Sequence, residues 1–153
     1  MTGLGIVIAV HVLAVLWWIG GLAFVTTVFL PAVRHGMGND PRAAFHEIEN
    51  RFAPQARMAV ILVGISGLYL LWRLDAWYWL VHLAFWWLDA MILYWVLFAV
   101  LLFVLEPIGI LKRTMRGASD EAGVWRRMQR FHTFMLLIAL VIIAGAVAGS
   151  HGF

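Results

Sequence analysis

Three ionisable residues, His11, His82 and Asp89, lie within long apolar stretches of this 153-residue chain. Ionisable groups at membrane depth are costly in free energy, so each is by default a candidate functional residue. Counting about 1.5 Å per helical residue from the outer end places His11 roughly 10 Å deep in the first apolar stretch. His82 enters the third stretch from the same side. The two imidazoles are therefore expected in the same leaflet.

Two histidines on different helices at similar depth suit a b-type haem, because each imidazole can supply one axial nitrogen to the iron. The His11 face of the first helix also carries Ala14, Trp18 and Gly21, at spacings of 3, 7 and 10. Small residues on that face would leave room for a flat ring. The sequence thus predicts haem b, with His11 and His82 as the iron ligands.

Trp86 and Asp89 follow His82 at spacings of 4 and 7, which is one face of a helix beginning near residue 79. Trp86 is therefore a candidate haem contact. Asp89 is a candidate catalytic residue that orients an imidazole, bonds a propionate, or relays protons to a substrate on the outer side. In the alternative, structural interpretation, Asp89 is neutral and bonded to Ser66 or Tyr69, and each histidine is a hydrogen-bonding partner between helices.

Other ligand sets stay open at this point. His151 is an alternative second iron ligand, and His46 with His132 could form an inner metal or haem site, although both are better explained as interfacial polar residues. Copper is the alternative cofactor, because imidazole and thioether groups bind Cu(I). Its candidate ligands are His11, His82, Met91 and Met135.

The elements that position these residues follow from composition. Apolar residues make up 64% of the chain and charged residues 12%, against about 45–50% and about 25% in soluble domains. Cysteine is absent, which excludes disulfides and thiolate sites. We predict a single all-α membrane domain, a four-helix bundle whose spans cover about 4–33, 58–76, 79–105 and 131–149. A separate short amphipathic helix is expected at the membrane surface over about 41–52.

The charged residues indicate how the bundle is oriented. The net charge is +3, and ten of the eleven basic residues lie in the connections 34–57 and 106–130. The positive-inside rule makes both connections cytoplasmic and places both termini outside. Because the basic residues alternate with apolar spans, they indicate topology and not nucleic-acid binding. We therefore expect a multi-pass protein of the cell inner membrane.

The first two helices resemble those of the HemJ-like and CopD-like membrane proteins. The resemblance rests on a helix-1 histidine with tryptophan at +7 and glycine at +10, in the run HVLAVLWWIGG from His11, followed by Leu30-Pro31. A second match is Arg51-Phe52-Ala53, which leads into Gly64-Ile65-Ser66-Gly67-Leu68. The resemblance implies haem b in the HemJ branch, with His11 as its ligand, and copper handling in the CopD branch.

The chain departs from that family pattern in two places. His82 stands where these proteins usually carry a lysine, and Phe131-His132-Thr133-Phe134 replaces an Asn-Glu-Pro motif. Both departures count against protoporphyrinogen oxidation, and a histidine in place of the lysine favours an electron carrier.

The leading prediction is therefore a membrane-embedded b-type cytochrome that transfers single electrons. Its expected redox partners are a quinone or a periplasmic carrier, and it would act as a homo-oligomer or as a subunit of a larger membrane complex. The alternatives are a CopD-type copper protein, a HemJ-like oxidase and an accessory subunit without a cofactor.

Overall fold

The computed structural model describes residues 3–34, 41–108 and 121–150. These ranges contain four long helices and no strand: α1 (Gly3–Arg34), α2 (Pro41–Arg73), α3 (Trp86–Val100, continued by a π-helical turn at Leu101–Leu105) and α4 (Glu121–Ser150). Each of the four helical segments is long and apolar enough to cross a membrane. The predicted all-α bundle with four spans is thereby confirmed, while the sidedness of its termini stays a prediction.

The main core lies between the four helices and is built mostly from small and medium apolar side chains. Its buried members are Ala14, Trp18, Ile19, Leu22, Ala59, Val60, Val63, Tyr94, Met135, Ala139 and Ile142. Many large apolar side chains elsewhere on the helices, such as Leu13, Ile65 and Leu93, are exposed on the outside of the bundle. This distribution fits a lipid environment, because lipid tails are as apolar as the side chains that face them.

Aromatic rings fill the spaces beside several helix glycines. A Cβ atom added to Gly64 would collide with the indole of Trp95, one on Gly145 with Trp86, and one on Gly149 with Trp87. Small residues in membrane helices commonly let helix backbones approach each other closely. At Gly64, Gly145 and Gly149, the space left by the missing side chain is instead filled by a tryptophan ring.

Helix α2 is one continuous helix of 33 residues that includes Pro54. The separate surface helix expected over residues 41–52 is therefore wrong. This part of α2 makes tertiary contacts with the other helices. The Phe45 ring packs against Phe29 of α1 at 5.9 Å and against Trp125 of α4 at 5.3 Å between centroids. This second cluster keeps the first turns of α2 in line with the span.

Helix α3 begins at Trp86, seven residues after the expected start at 79. The preceding residues form two short 3₁₀ turns, Ala76–Trp79 and Leu83–Phe85. The rings of Trp79 and Phe85 stack at 4.9 Å between centroids, and both pack on the buried residues Leu71, Ala76 and Leu88. Packing of the aromatic rings against the ends of α2 and α3 thus takes the place of the first two helical turns predicted for the third span.

Candidate functional site

His11 is bonded to α2 through one ring nitrogen. Its Nδ1 lies 2.8 Å from the Oγ of Ser66, and the Ser66 hydroxyl donates its proton to the carbonyl of Leu62 one turn earlier. A hydroxyl has a single proton to donate. Because Leu62 receives it, Ser66 must accept from His11, so Nδ1 carries the imidazole proton and Nε2 carries a lone pair.

Gly67, the next residue along α2, makes room for the imidazole. A Cβ atom added there would lie 3.2 Å from Cε1 of His11, which is closer than an ordinary van der Waals contact. Ser66 and Gly67 together form the part of α2 against which the imidazole ring packs. The serine sets the ring's tautomer, and the glycine lets the ring lie against the helix.

The Nε2 atom of His11 is the ring nitrogen that does not contact Ser66. It makes no hydrogen bond within the described residues, and it is not one of their buried unsatisfied atoms. An open depression of about 270 Å³ lies at the same junction of α1 and α2, lined by Val7, Val10, Leu62, Ile65, Ser66 and Tyr69. His11 lies eight residues from the start of α1, or about 12 Å along its axis. An ionisable ring at that depth is costly unless it has polar partners, and both the Ser66 hydroxyl and the backbone carbonyl of Val63 interact with the His11 ring.

The predicted haem face of α1 is occupied by the protein's own side chains. Ala14 and Trp18 are buried in the main core. The Trp18 ring packs against Tyr94 at 5.6 Å and Phe98 at 5.1 Å between centroids. A porphyrin between the helices would have to displace these rings, so this face does not fit a haem inside the bundle.

The third residue of that face, Gly21, leads to the same conclusion. A Cβ atom added to Gly21 would collide with the ring of Phe52 from α2. The space beside this glycine therefore accommodates a phenylalanine of the same chain.

His82 does not share a helical face with Trp86 and Asp89. It is exposed and has extended backbone, just before the second 3₁₀ turn and outside α3. Trp86 points its ring at Gly145 of α4. The face predicted from a helix start at residue 79 is therefore not formed, because α3 begins seven residues later.

Asp89 lies in the first turn of α3 and bonds to the preceding connection. Its two carboxylate oxygens accept the backbone N–H of Val81 at 3.2 and 3.3 Å. Ser66 and Tyr69, the partners expected from sequence, are not the ones it uses. A carboxylate is also favoured at a helix N-terminus by the helix dipole. Asp89 thus braces the connection, and its role in proton transfer stays a prediction.

The remaining candidate ligands are dispersed. His46 pairs with Glu49 on its own helix at 3.0 Å, and His132 bonds the carbonyl of Met128 at 2.9 Å. Met135 is buried in the main core, and Met91 packs against that core. His151 lies outside the described residues. Within the described part of the chain, no group of three or more His, Asp or Glu side chains is placed to hold a metal ion.

Two polar residues of the helix interfaces were missed by sequence reasoning. Ser66 could be recognised as a polar interface residue, because it is a hydroxyl residue between two glycines at membrane depth. The sequence suggests Asp89 as its hydrogen-bond partner, whereas the structure pairs it with His11. Gln129 of α4 donates its amide to the carbonyl of Thr26 at 2.6 Å, within the π-helical turn Val25–Phe29 of α1. A π turn displaces backbone hydrogen bonds, and no pattern in the sequence marks this one.

Comparison with protein-family models finds no match, and comparisons with curated proteins and with solved structures find no significant match. The resemblance of α1 and α2 to HemJ-like and CopD-like proteins stays a prediction.

Proposed function

We propose that this chain is a b-type cytochrome of a cell inner membrane that transfers single electrons, with His11 as an axial ligand to the haem iron. The observation that supports this function is the contact of 2.8 Å between Nδ1 of His11 and Oγ of Ser66, which assigns the ring proton to Nδ1 and leaves a lone pair on Nε2. Metal-binding histidines almost always donate their other ring N–H to a second group, which orients the ring and raises its basicity. Ser66 is that group here.

The proposed haem position differs from the one first predicted. Trp18 and the rings around it fill the space between the helices, so the haem would lie against the outer surface of the α1–α2 pair. There, Val7, Val10 and Ile65 provide apolar surface that excludes water. Bound haem supplies the one-electron chemistry. The chain's contribution is to bind through His11, to hold the imidazole through Ser66, and to exclude water with the aliphatic side chains around it.

The same geometry suits an assembly. A haem held by His11 on the outer surface of α1 and α2 would also be within reach of a second copy or another membrane subunit, which could contribute further side chains to hold it. We propose a homo-oligomer or a subunit of a larger complex, with a quinone or a periplasmic carrier as redox partner.

The test is the absorption spectrum of protein purified in detergent after expression with ample haem supply. We expect a Soret band and a reduced α-band. His11→Ala should lose most of the haem. His82→Ala is the matched control and should retain it, because His82 is exposed outside α3.

Three results would overturn the proposal. A wild-type protein without either band is not a cytochrome. Equal haem retention in the two variants would remove His11 as the ligand. Stoichiometric copper in the wild type that is lost in His11→Ala would favour the CopD-type alternative, since imidazole also binds copper.

A further inference from the structure

The connection between α2 and α3 presents apolar side chains at the end of the bundle. Val81 and Leu83 are each 92% exposed, the highest values among the large apolar side chains of the described residues. Trp77 and Tyr78 are exposed beside them. The segment 76–85 contains no Asp, Glu, Lys or Arg. A loop of this composition is poorly suited to contact with water alone.

The backbone of the connection is held in an uncommon conformation. Val81 has a φ of 61°, in the left-handed region that a β-branched residue rarely adopts. Its N–H is bonded to the carboxylate of Asp89. Backbone strain of this kind persists only where the surrounding structure enforces it. The conformation of Val81 is therefore held by a specific contact with Asp89.

Other backbone donors of the connection are also satisfied. Leu80 donates to the Trp77 carbonyl at 3.3 Å, His82 to Trp79 at 3.3 Å, and Phe85 to His82 at 2.9 Å. Backbone at membrane depth must have its polar groups bonded within the protein, because lipid tails cannot bond them. The N–H groups of Leu80, His82 and Phe85 are therefore bonded within the loop.

We propose that residues 76–85 form a membrane-inserted loop, with Val81 and Leu83 in the acyl-chain boundary and Trp77 and Tyr78 at the headgroups. The occupant of this surface is lipid for two reasons. The loop joins two spans across a short distance, so it must stay at the bilayer surface. Tryptophan and tyrosine are the residues enriched at that level.

The experiment uses the absence of native cysteine. A nitroxide is attached to Leu83→Cys in protein reconstituted into phosphatidylcholine vesicles, and its collisions with oxygen and with a water-soluble nickel chelate are compared by electron paramagnetic resonance. Matched controls are Asp75→Cys, at the exposed start of the connection, and Leu93→Cys, on the lipid-facing side of α3 and 72% exposed. We expect the Leu83 label to favour oxygen, as the Leu93 label does, and the Asp75 label to favour nickel.

Two outcomes would overturn the proposal. A Leu83 label that collides with nickel as readily as the Asp75 label lies in water. A label shielded from both reagents is covered by another polypeptide.

A second pair of variants tests whether the bond between Asp89 and the Val81 N–H holds the loop in place. Asp89→Ala removes the acceptor of the Val81 N–H and should shift the Leu83 label toward the Asp75 value, whereas Asp89→Asn retains an acceptor oxygen and should keep the wild-type value. An unchanged label in Asp89→Ala would show that Asp89 does not hold the loop in the membrane.

Discussion

Replacing Ser66 by alanine removes the atom that orients His11 and little else. The substitution deletes one buried oxygen and leaves the carbon framework of α2 unchanged. The hydrogen bond from Ser66 to Leu62 lies within one helix, where the Leu62 carbonyl keeps its place in the backbone ladder. The principal loss is therefore the interhelical bond to Nδ1 of His11, at 2.8 Å.

The size of that loss follows from the environment of the bond. Interhelical hydrogen bonds in membranes contribute about 0.6 kcal/mol on average and up to about 1.7 kcal/mol. A buried donor left without an acceptor costs about 1–3 kcal/mol, and His11 is only partly buried. We expect a coupling energy between His11 and Ser66 of about 1 kcal/mol. Loss of this orienting contact should also lower haem affinity by about 10–100-fold.

The assay is a double-mutant cycle on the haem-free protein. The free energy of unfolding is measured in mixed micelles for the wild type, His11→Ala, Ser66→Ala and the double variant, with helix content as the signal. Tyr94→Phe provides the control, because it removes a separate bond to the Met135 carbonyl at 3.1 Å between α3 and α4. Its effect should add to that of Ser66→Ala.

A coupling energy indistinguishable from zero would contradict a stabilising bond between His11 and Ser66. In that case the His11–Ser66 contact does not fix the orientation or the tautomer of the imidazole. A coupling between Ser66 and Tyr94 as large as that between Ser66 and His11 would show that the cycle reports a general loosening of the bundle.

Two further predictions concern contacts between helices. Arg57 of α2 and Glu106, just beyond α3, form an ion pair at 2.9 Å with side chains 36% and 23% exposed. Arg57→Glu and Glu106→Arg should each lower the unfolding free energy by up to about 1 kcal/mol, and the double swap should recover part of it. Additive losses in the double swap would contradict a stabilising pair. Gly21→Ala should cost about 1–3 kcal/mol through overlap with the Phe52 ring. Phe52→Leu should reduce that cost, whereas an equal cost in both backgrounds would exclude the overlap.

Helix content and the number of spans were predictable, because hydrophobicity adds up over windows of about 20 residues and tolerates local error. The first span was expected over 4–33 and the helix covers Gly3–Arg34; the last was expected over 131–149 and lies within Glu121–Ser150.

The start of the third span was not predictable in the same way. The run from Trp79 to Phe85 is as apolar as a span, and hydropathy does not distinguish a helix from an interfacial turn. Tertiary contacts set the residue at which α3 begins. The stack of Trp79 on Phe85 and the bond from Val81 to Asp89 form only in the folded chain.

The four apolar helical spans and the place of His11 within the first of them follow from residue types and from distance along one helix, and both could be predicted from the amino-acid order. Which side chains meet across the helix interfaces depends on the folded arrangement. The rotation of α1 against α2 brings His11 to Ser66 and directs Trp18 into the core, and the late start of α3 leaves His82 outside it. Such partners depend on the orientation of one helix about its axis relative to another, which no spacing within a single helix specifies.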